Sequence, residues 1–244
     1  GFFPMLDGFD QVPFNNLDQM QNAITERTAA ILVEPIQGEG GINNADNDYF
    51  KKLRNIADKA DILLFVDEVQ TGIGRTGKLF AHEWSEIKPD ILAVAKGLGG
   101  GFPVGACLAN EKTTKTMAPG THGSTFGGNP LASAAANAVL DIVLDNDFLD
   151  SVQRKGAHLN NQLSLIITKH KFLSELRGQG LLVGIVCDKS ITNTDIVKKA
   201  EAIGLLTVPA GNNVIRLIPP LIITETEIDE GLSLFDQACD SFNC

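Results

Sequence analysis

The chain has 244 residues, with 30 Asp and Glu against 20 Lys and Arg. Its formal net charge of −10 and the lack of any basic cluster argue against a nucleic-acid partner. No apolar run approaches the roughly 20 residues of a membrane-spanning helix. Cys107, Cys187, Cys239 and Cys244 lack any C-x-x-C spacing, which disfavours a disulfide framework or a zinc site and fits a reduced, cytoplasmic protein. With 43% hydrophobic residues the chain can bury a sizeable core, and its length makes two domains the expectation.

The opening Gly-Phe-Phe-Pro has no initiator methionine and no signal peptide. Residues 1–16 read as an irregular surface segment around Phe2, Phe3, Phe9 and Phe14. Leu17, Met20, Ala23 and Ile24 predict a short amphipathic helix over 17–26. A strand over 29–34 is stopped by Pro35 and the glycines that follow it. Asp46 is placed to cap a helix bearing Phe50, Leu53, Ile56, Ala57 and Ala60. The unbroken apolar run Ile62-Leu-Leu-Phe-Val66 predicts a parallel strand covered on both faces, and it closes a βαβ unit. That strand ends in Asp67, Glu68, Val69 and Gln70, where open α/β sheets place their ligands.

Gly72-Ile-Gly-Arg-Thr-Gly77 spells G-x-G-x-x-G, and with Lys78 it nearly spells a phosphate-binding P-loop. Four residues separate it from the strand end, and Leu79 stands where a magnesium-binding Ser or Thr is required. A mobile loop beside a site is the preferred reading of these glycines. A second apolar run, 90–95, ends in Lys96, followed by Gly97-Leu-Gly-Gly-Gly-Phe-Pro103 and a strand over 104–109. Thr121-His-Gly-Ser-Thr-Phe-Gly-Gly-Asn-Pro130 brings hydroxyls and glycine amides to the start of an Ala-rich helix that runs to about 145. After a helix over 148–169 come short strands at 181–187, 205–208 and 214–218, around a helix at 195–203. Thr224 and Glu227 form a capping box for the last helix. The domain change is placed near 142, with 1–142 as a mainly parallel α/β part and 143–244 as a smaller α+β part.

An acid at 67 and an amine at 96, delivered by neighbouring strands to one sheet edge, are what a pyridoxal phosphate site requires. Glu34 and Glu39 flank a Pro/Gly turn, and two acids beside a strand end suggest a cation to be handled. Arg216 lies inside an apolar strand and calls for a carboxylate, structural or bound. His82, His122, His158 and His170 show no ligand spacing and read as non-catalytic, so no metal site is expected.

Four linked motifs carry a resemblance. They are Val33-Glu-Pro-Ile-Gln-Gly-Glu-Gly-Gly41, Phe65-Val-Asp-Glu-Val-Gln-Thr-Gly-Ile-Gly-Arg-Thr-Gly77, Ala95-Lys-Gly-Leu-Gly-Gly-Gly-Phe-Pro-Val-Gly105 and His122-Gly-Ser-Thr-Phe-Gly-Gly-Asn-Pro130. In order and spacing, from about residue 7 onward, the chain resembles the class III pyridoxal-phosphate-dependent aminotransferases. The resemblance implies the fold type I architecture of such transferases, with 1–142 the C-terminal part of the large cofactor-binding domain. It further implies that Lys96 carries the cofactor and shuttles a proton, and that Asp67 pairs with the ring nitrogen. Glu68, Val69 and Gln70 complete that edge, Gln70 near the phenolic oxygen and Val69 against the ring.

In the same way Thr125 is expected to hold the phosphate of a neighbouring subunit in a homodimer, with Ser124 and Glu34 near the substrate. Arg216 would take the α-carboxylate of glutamate or 2-oxoglutarate, and Glu39 would mask it otherwise. The tail 205–221 is closest to the branch acting on N-acetylornithine in arginine biosynthesis. Branches acting on ornithine, succinylornithine, succinyldiaminopimelate or 4-aminobutyrate share the motifs. The family's N-terminal portion has no counterpart here, so the chain is expected to be a fragment that holds the cofactor weakly and is inactive alone.

Overall fold

The structure, a computed structural model, describes residues 4–45 and 47–242. The Asp46 cap, Phe2, Phe3 and Cys244 lie outside the described residues. Helix α1 (Leu17–Ala23) is capped by the Asn16 side chain. Strand β1 (Ala30–Val33) is followed by a small hairpin of β2 (Ile36–Gln37) and β3 (Asn43–Asn44). Then come α2 (Asn47–Ala60), β4 (Leu63–Asp67), β5 (Ile91–Val94) and β6 (Ala106–Ala109). These strands form one sheet in the order β1-β4-β5-β6, with β1, β4 and β5 parallel and β6 antiparallel to β5.

Alternation decides the first core. Ile31, Val33, Leu64, Val66, Leu92 and Val94 point one way and pack with Phe50, Leu53 and Ala57 of α2. On the opposite face Leu63, Phe65 and Ile91 are half-buried and Leu32 is exposed. The expectation of burial on both faces is therefore corrected. The run 62–66 is apolar at every position, but only its even-numbered residues are fully enclosed in this chain.

Beyond a short α3 (Glu111–Thr114), α4 (Pro130–Val143) starts as predicted, with Asn129 accepting from the Ala132 amide and proline in the first turn. Next are α5 (Asn146–Lys169), β7 (Leu173–Gln179), β8 (Leu182–Cys187), α6 (Asn193–Ala202), β9 (Val208–Ala210), β10 (Val214–Leu217) and α7 (Glu225–Asp240). The second sheet, β7-β8-β10-β9, is antiparallel throughout. Strand β7 was not predicted, because Ser174, Glu175, Arg177 and Gly178 hide any apolar alternation. The second core joins Val152, Leu159 and Leu163 of α5 to Val183, Ile185 and Ile215 of the sheet and to Ile228, Leu232 and Phe235 of α7. The capping box of α7 forms as read, the Thr224 hydroxyl accepting from the Glu227 amide.

Two features fix the sheets to each other. Ile36 and Ile42 of the small hairpin form a third core with Leu182 and Val214 of the second sheet. The segment 71–77 is buried rather than mobile, which corrects the loop reading. Arg75 donates to the Leu181 and Pro219 carbonyls at 3.0 and 2.6 Å, and the Leu181 amide donates back to Arg75 O at 3.1 Å. Burial pulls the Arg75 guanidinium down to about 10. No helix among the described residues is long and apolar enough to cross a membrane.

Close backbone approach explains Gly180. With φ +59°, a Cβ there would lie 2.6 Å from Thr76 C and 2.8 Å from Arg75 O. Gly204, with φ +95° just past α6, has nothing within 4 Å of its Cβ position. Gly204→Ala should cost only the left-handed penalty, about 1 kcal/mol. Gly180→Ala should cost at least about 3 kcal/mol because two backbones must separate. Urea unfolding of both variants checks this, and equal losses would contradict the packing account.

Candidate active site

Register brings the acid and the amine together. Asp67 and Ala93 are Cα partners across parallel strands, and the Glu68 amide donates to Ala93 O at 2.9 Å. Lys96 lies three residues beyond Ala93, at the same carboxyl edge of the sheet. It is exposed and holds a left-handed φ of +43°, an uncommon state for a side chain with a Cβ and one that clusters at functional sites. Asp67 accepts from the Val69 amide at 2.9 Å, which turns the chain away from the strand.

Glu34 follows Val33, the register partner of Val66, and so stands beside Asp67 on the neighbouring strand. Burial raises its carboxyl above the usual range, and the Gly38 amide opposes that shift. Asp67 raises it further, Lys96 lowers it and Glu39 raises it, so all three charges reach Glu34.

The second sheet contributes Arg216, the middle of β10, whose side chain is only 6% exposed. Its Nη1 donates to Glu39 Oε1 at 2.7 Å and to Gln70 Oε1 at 2.9 Å, while its buried Nε has no partner among the described residues. One guanidinium thus joins the turn after β2 to the segment after β4. The carboxyl edge of the first sheet thus carries Glu34, Asp67, Val69, Gln70 and Lys96, and Glu39 and Arg216 join it through Gln70.

Other predicted residues go elsewhere. Glu68 was grouped with the cofactor contacts, and its carboxylate is instead fully buried on the far side of the strand end. It accepts from Thr71 Oγ1, the Ala81 and His82 amides and His82 Nδ1, and so holds the 71–82 segment. Ser124 and Thr125 sit on an exposed turn closed by its own hydrogen bonds, Gly127 N to Ser124 O and Asn129 Nδ2 to Phe126 O.

His82, His158 and His170 each meet a carboxylate, Glu68, Asp229 and Asp236 respectively. His170, Asp236 and Asp240 bring potential ligand atoms within 4.8 Å of one another, which sequence spacing did not reveal. Lys169 Nζ donates to both carboxylates at 2.8 and 3.0 Å, making this an ion-paired clasp between α5 and α7. Cys187 and Cys239 are buried, and desolvation pushes both thiols up to about 12.

The G-x-G-x-x-G segment leads into a five-residue 3₁₀ turn, Ala81–Ser85, and not into a helix N-terminus. The geometry that a dinucleotide or P-loop phosphate needs is missing there.

A mixed, mainly parallel sheet with an acid and an amine at its carboxyl edge, and an arginine brought over by an α+β C-terminal part, is the α/β fold of the aminotransferases. Residues 4–239 match the family Aminotransferase class-III, and the chain belongs to it. It is 52% identical over 234 residues to the acetylornithine aminotransferase of Mesorhizobium japonicum, covering 96% of this chain and 58% of that protein. It is 50% identical over 240 residues to acetylornithine aminotransferase 1 of Bradyrhizobium diazoefficiens, covering 98% and 59%.

Among solved structures, the ornithine aminotransferase of Toxoplasma gondii matches with a TM-score of 0.93 at 36% identity, covering 99% of this chain and 58% of that one. The N-acetylornithine aminotransferase of Stenotrophomonas maltophilia matches at 0.87 and 39%, covering 95% and 62%. The chain therefore spans about three fifths of the length of these relatives.

If Glu68 is a scaffold acid, Glu68→Ala strands four donors in a dry site and should cost about 3 kcal/mol or more. Chemical denaturation measures it. A loss below about 1 kcal/mol would return the carboxylate to a role outside the scaffold.

Proposed function

We propose that the protein, in its full-length form, is a pyridoxal-phosphate-dependent aminotransferase. It exchanges the ω-amine of N-acetylornithine with the oxo group of 2-oxoglutarate, giving N-acetylglutamate 5-semialdehyde and glutamate, within arginine biosynthesis. The single observation that carries this reading is the register of Asp67 against Ala93, which sets an acid and an amine on one sheet edge. The donor set fits the cofactor: a carboxylate for a pyridinium nitrogen, an accessible amine for its aldehyde and an amide at Gln70 for its ring oxygen. Bound there, the cofactor supplies an electron sink for the carbon that loses its proton.

In this reading Asp67 holds a proton on the ring nitrogen through a charge-assisted hydrogen bond. Val69 packs against the ring. Lys96 carries the proton between the two carbons exchanging the amine, a task that calls on its neutral form. Arg216 receives the α-carboxylate of 2-oxoglutarate or glutamate. Glu39 neutralises Arg216 while the ω-amine substrate, which offers no carboxylate there, is bound.

Thr125, with Ser124 nearby, serves the site of a second copy, so the working unit is a homodimer in the cytoplasm. The exposed position of their turn is compatible with that. The residues 1–142 and 143–244 correspond to the two domains of this reading; one core built up to Val143 and another built from Val152 onward support the division, with Phe148 packed against both.

Glutamate formation from 2-oxoglutarate with N-acetylornithine, assayed beside ornithine, succinylornithine, succinyldiaminopimelate and 4-aminobutyrate, tests the substrate. The highest kcat/KM is expected with N-acetylornithine, and a preference for any of the others reassigns the branch. Asp67→Ala should lower kcat by about 100-fold or more, and near-parental turnover would remove the electron-sink assignment.

A further inference from the structure

We infer that Gln70 is a positioning residue for Arg216, seated by Gly38, and that it keeps the arginine aligned when Glu39 leaves to admit a substrate carboxylate. This rests on the functional reading above and adds a fixed half to the pair formed by Arg216 and Glu39.

The two hydrogens of Arg216 Nη1 go to two different oxygens, Glu39 Oε1 and Gln70 Oε1. The acceptors differ in freedom. The Glu39 side chain is 77% exposed, and an exposed partner of an ion pair is readily exchanged. Gln70 is confined. A Cβ at Gly38 would fall 2.2 to 2.3 Å from its Nε2, Cδ and Oε1, so the whole amide lies flat against the glycine. Gly38 has no left-handed backbone, so the contact that a side chain there would disturb is the one with the Gln70 amide, which would have to move aside.

The turn that carries Gly38 is itself fixed. Glu39 O accepts from the Gly211 amide at 2.8 Å, Gly40 O accepts from Asn212 Nδ2 at 2.9 Å, and the Gly38 amide faces Glu34 Oε2 at 3.4 Å. The Glu39 side chain can therefore swing while the seat stays in place.

The orientation of the amide gives Gln70 a second use. Its carbonyl is spent on Arg216, so its NH₂ is the end left to donate. In the functional reading that donor meets the cofactor's ring oxygen. A single side chain then spans the distance between the cofactor and the carboxylate-binding arginine, fixing one against the other. Once Glu39 departs, Arg216 remains held through Nη1, and the incoming carboxylate of a 2-oxo or 2-amino dicarboxylic acid takes the vacated position. Without Gln70 the buried guanidinium would have to be re-ordered at each exchange.

The test compares Glu39→Ala with Glu39→Ala/Gly38→Ala and Glu39→Ala/Gln70→Leu, each first shown by thermal melting to be folded. Two double variants guard against one failing to fold. Without cofactor or substrate, the rate of phenylglyoxal modification at Arg216, located by peptide mass mapping, should rise about tenfold in each double variant over Glu39→Ala. Equal rates in all three would overturn the inference, whatever the substrate.

In the cofactor-loaded full-length protein, Gly38→Ala should raise KM for 2-oxoglutarate about tenfold and leave KM for N-acetylornithine within about twofold. A parallel rise in both would reduce Gly38 to general scaffolding and overturn the positioning role. If the modification contrast holds but no form uses or binds 2-oxoglutarate, the functional reading fails while the contact of Gln70 with Arg216 stands.

Discussion

The parallel pairing of β4 with β5 is the constraint on which the rest of the structure depends. It fixes Asp67 opposite Ala93 and brings Lys96 to the same edge three residues later. Had the register slipped by one residue, every side chain on the strand would change face, and Asp67 would exchange places with Glu68. That exchange would be costly in both directions. The pocket for Glu68 is made of four inward donors, whereas Asp67 meets a single amide and keeps capacity for a cationic partner. Neighbouring acids in the sequence thus divide into a structural and a site carboxylate through strand alternation alone.

A sheet edge cannot by itself supply the arginine. Arg216 comes from a different sheet with a different core, and its position is set by two ties. One is the docking of Ile36 and Ile42 on Leu182 and Val214, reinforced by Gly184, whose missing side chain leaves room for Ile42. The other is the buried 71–77 segment, where Arg75 bonds to the carbonyls just before β8 and just after β10. Both ties start within ten residues of a site acid. Accuracy between the two sheets is therefore built from the same short segments that carry the chemistry.

Much of this was legible in the sequence because its signals are local. The strands ending in Asp67 and Lys96, the cap at Asn129 and the capping box at Thr224 are set by neighbours a few residues away. Arg216 could be singled out because a charge inside Val-Ile-Arg-Leu-Ile must find a partner, and Glu39 was a candidate from its turn. Three features could not be read. Strand β7 has no apolar period of its own and is held by its antiparallel pairing with β8, from Leu173 opposite Cys187 to Gln179 opposite Leu182, a non-local cause. The glycines at 72, 74 and 77 look like loop punctuation, yet serve close packing against Glu68, Val143 and Gln153, contacts spread over the chain. Glu68 reads as a site acid because sequence adjacency to Asp67 says nothing about face.

The most direct measurement of the central claim is reductive trapping with borohydride after mixing the chain with pyridoxal phosphate, followed by peptide mapping. It registers weak binding as well as tight. The account predicts the cofactor fixed on Lys96, in the parent chain and in Asp67→Ala alike, because the acid serves turnover and not formation of the bond to the amine. Label fixed on another lysine would show that the acid and the amine do not serve one ring.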